Sequence, residues 1–462
     1  MAGIGFELKK IFQEGTFAST VRGSTYAVFV TSGPMILNLL MITAMLQLLK
    51  VKGMPRESRD LFESSIMYAY IFSLLIVSGW IMVISRYVSD KIYRKDTRDL
   101  LASLLGILAL CCLTGGVPGA VFYAFSPLPL SFRFFSGLIF LELCILNVLM
   151  VYVSAARDYR KVAVSFSLGL GATLLFSLLL QLFPVGILTA VLAGVALGFF
   201  VNLLFLVTVL KSTFGFISPH CFNFLHALGQ HPRLFFTNFL YTLGLFGHNL
   251  IFWFLSDLSV SAMNTYRYAP NYDAATFYAI FTIIPAIVIF VVKVETSFYD
   301  QFSRLEQAIC QGGTLRDIRR AKDRVSETVR TDMIRLFELQ LIITVLCILL
   351  GNLLILPLLG TNRQTTELFS YLAVGFFLAY MVYCTITLLL YFDHQKGALL
   401  TASLFGASSL ILTLLTLRLG AGFYGLGLCG GGLMAFPAGV CLLIQTLDEA
   451  IYRIYTGYTL AR

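Results

Sequence analysis

Charge is scarce in this sequence. Only 12% of its 462 residues are Asp, Glu, Lys or Arg, about half of the roughly 25% a soluble domain carries. Hydrophobic residues make up 58%, and the mean hydropathy is +0.85. So little polar surface excludes a chain that lives in water. Enzyme signatures are missing too: there is no phosphate-cradling Gly-x4-Gly-Lys, no His-Glu-x-x-His and no Gly-x-Ser-x-Gly. No sugar-nucleotide acidic motif stands on a cytoplasmic connection, which argues against an intramembrane glycosyltransferase. The nine cysteines lie mostly inside apolar runs (Cys111, Cys112, Cys144, Cys347, Cys384, Cys429, Cys441). They read as small buried hydrophobes and not as a disulfide framework. His220, Cys221, His226 and His231 gather in one connector at a spacing that fits no established zinc pattern; no metal and no cofactor is expected. The Met1 end lacks the short apolar core of a removable signal peptide.

What is present is a series of apolar runs of roughly 20 residues, the length that crosses about 30 Å of hydrocarbon as an α-helix. They do not alternate as barrel strands would. Polar breaks predict twelve spans: 26–49, 62–85, 100–124, 134–156, 162–182, 185–210, 234–256, 275–292, 333–358, 368–391, 399–417 and 421–447. Only Phe183-Pro184 separates the fifth from the sixth. Ile4, Leu8, Ile11 and Phe12 form an apolar stripe ahead of the first span, fit for a surface helix or for docking on a neighbouring helix. Twelve spans put both ends on one side. With that side assigned to the cytoplasm, it holds twenty-five of the 33 Lys and Arg against eight opposite, as the positive-inside rule requires. The net charge of +9 is thereby topological, and no nucleic-acid partner is needed to explain it.

The largest cytoplasmic connections occupy matching places in the two halves. One runs from Ser85-Arg86-Tyr87 to Thr97-Arg98-Asp99, the other from Thr296-Ser297-Phe298 to Thr314-Leu315-Arg316-Asp317. Each leaves a helix through an aromatic and an acid and restarts at a Thr/Asp stretch of capping type. The expected architecture is an all-α polytopic membrane protein of two six-helix bundles around a central cavity, as parallel repeats. Its parts are an N-terminal segment 1–25, an N-lobe 26–210, a connector 211–233, a C-lobe 234–447 and a tail 448–462. Phe298, Phe302, Leu305 and Ile309, then a break at Gly312-Gly313, then Leu315, Ile318, Val325 and Val329 predict two amphipathic helices within 298–332. The second carries Arg316, Arg319, Arg320, Lys322 and Arg324, which fit anionic headgroups better than a partner protein.

Polar residues inside spans are costly in lipid and mark candidate sites. Glu142 in the fourth span is the clearest, followed by His248 beside Asn249 and Trp253 in the seventh. Glu142 is read as lining a cavity or as structurally paired. Asn38 and Asn147 fit helix–helix hydrogen bonding. Lys293 and Glu295 stand near the cytoplasmic end of the eighth span, where snorkelling or a local ion pair is the simpler reading. Ser32-Gly33-Pro34 and Pro285 predict bends. Gly194, Gly198, Gly427 and Gly431 predict close helix contacts.

Several segments resemble one family. Met1-Ala2-Gly3-Ile4-Gly5-Phe6-Glu7-Leu8-Lys9-Lys10, Ser32-Gly33-Pro34, His248-Asn249-Leu250-Ile251-Phe252-Trp253, Pro270-Asn271-Tyr272-Asp273, Ile284-Pro285-Ala286 and Val294-Glu295-Thr296-Ser297-Phe298 are similar to the PelG family of exopolysaccharide transporters. The resemblance implies the multidrug/oligosaccharidyl-lipid/polysaccharide (MOP) exporter superfamily and a polysaccharide substrate in a bacterial inner membrane. It also implies PelD and PelE as partners, a PelF-like cytosolic glycosyltransferase, and regulation by cyclic di-GMP through PelD. It adds Tyr272 and Asp273 to the candidate residues. A non-transporting scaffold for a cytosolic synthase and a lipid-linked oligosaccharide flippase remain as alternatives.

Overall fold

The computed structural model describes residues 33–156, 159–215 and 220–460, without the side chains of 159, 295, 296 and 456–460. Ser32 and the expected N-terminal surface helix lie outside the described residues. The helices are α1 (Gly33–Val51), α2 (Arg56–Tyr93), α3 (Leu100–Ala124), α4 (Leu130–Ala156), α5 (Tyr159–Leu179), α6 (Ile187–Phe214), the short α7 (Phe224–Gln230) and α8 (Pro232–Leu255). After a two-stranded hairpin, β1 (Val260–Ala262) and β2 (Tyr266–Tyr268), come α9 (Pro270–Ile280), α10 (Ile284–Lys293), α11 (Tyr299–Cys310) and α12 (Leu315–Leu350). The chain closes with α13 (Arg363–Tyr391), α14 (Gln395–Leu419), α15 (Leu426–Asp448) and α16 (Ala450–Leu460). Among the described residues, eleven helical stretches are long and apolar enough to cross a membrane. α8, with 24 residues, is not one of them, because Asn238, His248 and Asn249 dilute its apolarity; it occupies the place of the seventh span. Phe183-Pro184 does end a helix: a 3-10 turn, Leu180–Leu182, closes α5, and α6 starts at Ile187.

Two differences from the sequence expectation have clear physical causes. α2 and α12 run well past their apolar cores, because the charged continuations keep helical periodicity and meet no breaker. The second amphipathic helix is therefore the same rod as the ninth span. The two Thr/Asp stretches also part company. The Thr314 side chain accepts from the Asp317 N–H and caps α12, but Thr97 caps nothing among the described residues. Asp99 stands at the α3 N-cap without a capping bond and is taken up by Lys91 at 3.1 Å. In that connection Arg98 and then Lys91 hold the Asp96 carboxyl down to about 2.

The described chain forms two compact units. The first holds residues up to Phe239 together with Ser259–Tyr268, and the second holds Leu240–Leu258 and the chain from Ala269 onward. In the first, α5 and α6 pack so closely that a Cβ on Gly194 would strike Ser177 and one on Gly198 would strike Thr173. In the second, α14 and α15 repeat the device: a Cβ on Gly427 would strike Thr413, and one on Gly431 would come within 2.8 Å of Ser409. Both units thus use Gly-xxx-Gly against a Ser/Thr pair four residues apart, the small-residue contact that serves where lipid supplies no hydrophobic drive. The hairpin docks in the first unit. Tyr266 is fully buried there, its hydroxyl donating to Tyr123 at 3.0 Å. The Tyr68 hydroxyl donates to the Arg267 carbonyl at 2.7 Å and accepts from its N–H at 3.0 Å.

Candidate functional site

In the first unit, Glu142 projects from α4 with only 3% of its surface exposed. Neither carboxylate oxygen has a hydrogen-bond partner among the described residues. Asn147 donates from the same helix to the Ser73 hydroxyl on α2 at 3.4 Å. Asn38, half-buried on α1, shares a small recess with Met41, Phe166, Phe199 and Asn202. Asn202 is 2% exposed and takes the Ser165 hydroxyl on both its side-chain and main-chain oxygens. That pair went unread in the sequence, although an Asn inside an apolar run is the signal that marks Asn38. Gly33 and Pro34 open the described part of α1.

In the second unit, residues 20 or more positions apart in sequence meet. The Asp273 carboxylate accepts from the Trp253 indole N–H at 2.9 and 3.0 Å, from the Asn249 amide at 2.9 Å and from the Ala269 N–H at 2.8 Å. The Tyr272 hydroxyl and His248 Nδ1 lie 2.8 Å apart, and Tyr272 stacks on Phe252 at 3.7 Å between centroids. These are the His-Asn-Leu-Ile-Phe-Trp and Pro-Asn-Tyr-Asp segments, and here they clamp the N-terminus of α9 to α8. A carboxylate with three kinds of donor is a satisfied structural acceptor. Two atoms stay open: His248 Nε2 and Asn249 Oδ1 are buried without partners among the described residues.

Pro285 falls where the eighth span changes helical pitch. A 3-10 turn, Phe281–Ile283, precedes α10, and a π-helical turn, Val294–Phe298, follows it. Proline lacks the N–H that would continue the ladder, and in the turn before it the Thr282 carbonyl is met from α12 by the Gln340 amide at 2.7 Å. Gln340 is fully buried. Its place inside an apolar stretch was a readable signal; its partner was not. The Lys293 ammonium lies 3.1 Å from Asp332, which also accepts from the Ser297 hydroxyl at 2.8 Å. The Glu295 side chain lies outside the described residues. Arg316, Arg319, Arg320 and Arg324 are exposed along α12, while Lys322 reaches Asp448 at 3.6 Å. His226 meets Gln230 at 3.0 Å, and no three His, Cys, Asp or Glu side chains gather as metal ligands among the described residues.

No curated protein matches this sequence. Among solved structures, the chain is similar to an outward-facing multidrug resistance MATE family transporter of the MOP superfamily, with a TM-score of 0.56 and 14% identity over 94% of this chain and 96% of that one. It is similar also to the eukaryotic MATE transporter AtDTX14 (TM-score 0.59, 12% identity, 93% and 99% covered). A third likeness is to a MOP superfamily transporter from Pyrococcus furiosus (TM-score 0.53, 13% identity, 94% and 96% covered). At such identities the likeness is one of fold: the all-α, multi-pass MOP exporter architecture. The PelG family model, described as "Putative exopolysaccharide Exporter (EPS-E)", matches residues 1–455. The chain is a multi-pass membrane exporter and not an enzyme, and it belongs to the PelG family.

Proposed function

We propose that this exporter moves a Pel-type exopolysaccharide, rich in partly deacetylated N-acetylgalactosamine, across the bacterial inner membrane from cytoplasm to periplasm. It does so by alternating access of its two lobes, with both termini in the cytoplasm. PelD-, PelE- and PelF-like partners supply and regulate the polymer. The observation that carries the reading is Glu142. A carboxylate 3% exposed with both oxygens unpartnered among the described residues is expensive inside a span and belongs to a transport path more readily than to packing. It would attract the free amines of a deacetylated glycan, and Glu295 is the second acid assigned to that task. Replacing Glu142 or Glu295 with Gln keeps the shape and removes the charge. Export should fall about ten- to a hundredfold, matching the roughly 1.5–3 kcal/mol that a hydrogen bond to a charged group contributes, with normal insertion; wild-type export from both variants sinks the proposal.

A second reading, a membrane scaffold for a cytosolic synthase, draws on the exposed arginines of α12. Liposomes containing this protein, alone or with purified partners, separate the two. Glycan accumulating in the lumen supports export; a synthase that is recruited and active while no glycan crosses supports the scaffold.

A further inference from the structure

The two matching connections treat their arginines differently. In the first unit three of the five cations are paired locally: Arg86 with Asp90 at 3.2 Å, Lys91 with Asp96 and Asp99 at 3.1 Å, and Arg98 with Asp96 at 2.9 Å, while Arg94 and Lys95 are exposed without an ion pair among the described residues. In the second, Arg316, Arg319, Arg320 and Arg324 are exposed, and none forms an ion pair among the described residues. Asp323 and Glu327 stand on the same helix within side-chain reach and leave them open.

Their distance from the bilayer decides what they can meet. α12 is one unbroken helix from Leu315 to Leu350 and contains no proline. Glu338 is the last charge before an apolar stretch that begins at Leu339 and runs to Leu359, long enough for about 30 Å of hydrocarbon. At about 1.5 Å per residue, Arg324 lies about 22 Å and Arg316 about 35 Å along the axis before Leu339. The headgroup layer adds about 5–8 Å and the Debye length is about 8 Å. Even with the helix tilted by about 40°, Arg324 keeps about 17 Å from the hydrocarbon edge. The Arg316 end of the row therefore stands clear of the lipid headgroups that its composition first indicates, and Arg324 lies nearest to them. Arginine also differs from lysine in presenting a planar fork that fits carboxylates bidentately. α16, which packs against α11 and α12, exposes Tyr452 at 70% and Tyr455 at 61%, and Tyr with Arg is the pairing that dominates protein docking surfaces.

We propose that the arginine row of α12 is a docking face for an acidic surface of a water-soluble protein. Because the row and the ninth span are one rigid helix, a docked partner holds a membrane helix directly. The proposal is independent of cargo.

The test uses the full-length protein in producing cells, with a photo-crosslinking amino acid in place of Arg320. The expected adduct is a soluble protein whose linked peptide carries Asp or Glu. It should fall about tenfold in a variant with Arg316, Arg319 and Arg324 all replaced by Glu, the effect of losing several peripheral ion pairs. Changing the partner's linked acids to Arg should restore it. Equal membrane content of the variant excludes misfolding. Adducts with phospholipid, or a protein adduct indifferent to charge reversal, overturn the proposal.

Discussion

Two buried carboxylates in this protein have opposite surroundings and should answer to substitution in opposite ways. Asp273 binds the Trp253 and Asn249 side chains and the Ala269 main chain. An Asp273→Asn change offers one oxygen where two served and turns an NH2 toward donors. We expect a loss of about 1–3 kcal/mol, the cost of stranding a buried donor, seen as a lower unfolding temperature in detergent. Glu142 has no partner to lose among the described residues, so Glu142→Gln should leave that temperature unchanged or raise it while export falls. A Glu142→Gln protein that melts early would mean an undetected structural bond. Neither fate could be read from residue type, since both acids sit in apolar surroundings and differ only in what the fold brings beside them.

At the scale of elements, the paired glycine contacts and the turn after α13 carry predictions. Leu at Gly198 or at Gly431 must push α5 from α6, or α14 from α15. Each should destabilise by about 1–3 kcal/mol, as overpacking does, and a wild-type melting temperature for both would show that these helices are not held together there. Small residues at a spacing of four were visible in the sequence, and so was their use; the Ser/Thr partners were not, because they lie on another helix. His394, between α13 and α14, contacts the Thr446 hydroxyl at 2.7 Å. Burial first, then Arg453 and Lys396, against the opposing pull of Glu449, hold its pKa below the ordinary 6.5. The unfolded chain then binds this proton more readily, so its contribution is complete above about pH 6.5 and fades as pH falls through that value. Melting temperatures from pH 8 to 5 should decline less in His394→Gln than in wild type; parallel curves would remove His394 from the titration.

For the whole molecule, the charge asymmetry predicts sidedness. With the native cysteines replaced elsewhere, Cys310 on α11, which is exposed, should react with an impermeant maleimide only after permeabilisation. A cysteine at Met263 in the hairpin turn, 47% exposed, should react in intact cells. The reversed pattern would invert the topology. The hairpin also marks where sequence reading stops. Met263 and Asn264 both adopt positive φ, a turn geometry that Met does not advertise, and the strands are short and unpatterned. They persist because Tyr266, Tyr68, Tyr123 and the Arg267 main chain bond to one another in the first unit, a contact between segments more than a hundred positions apart.

What the sequence determined by itself is what depends on local composition: the helical spans and the breaks between them. In lipid every backbone group must be satisfied within its own segment, so a run of apolar residues has one solution. The Phe183-Pro184 break, the Gly312-Gly313 break and the Thr314 cap were legible for that reason. Only the tertiary structure decided which polar side chains are partnered. Glu142 and Asp273, Lys91 and Arg320 look alike in sequence, but the free energy of a buried or exposed charge is set by the groups the fold brings within about 4 Å of it.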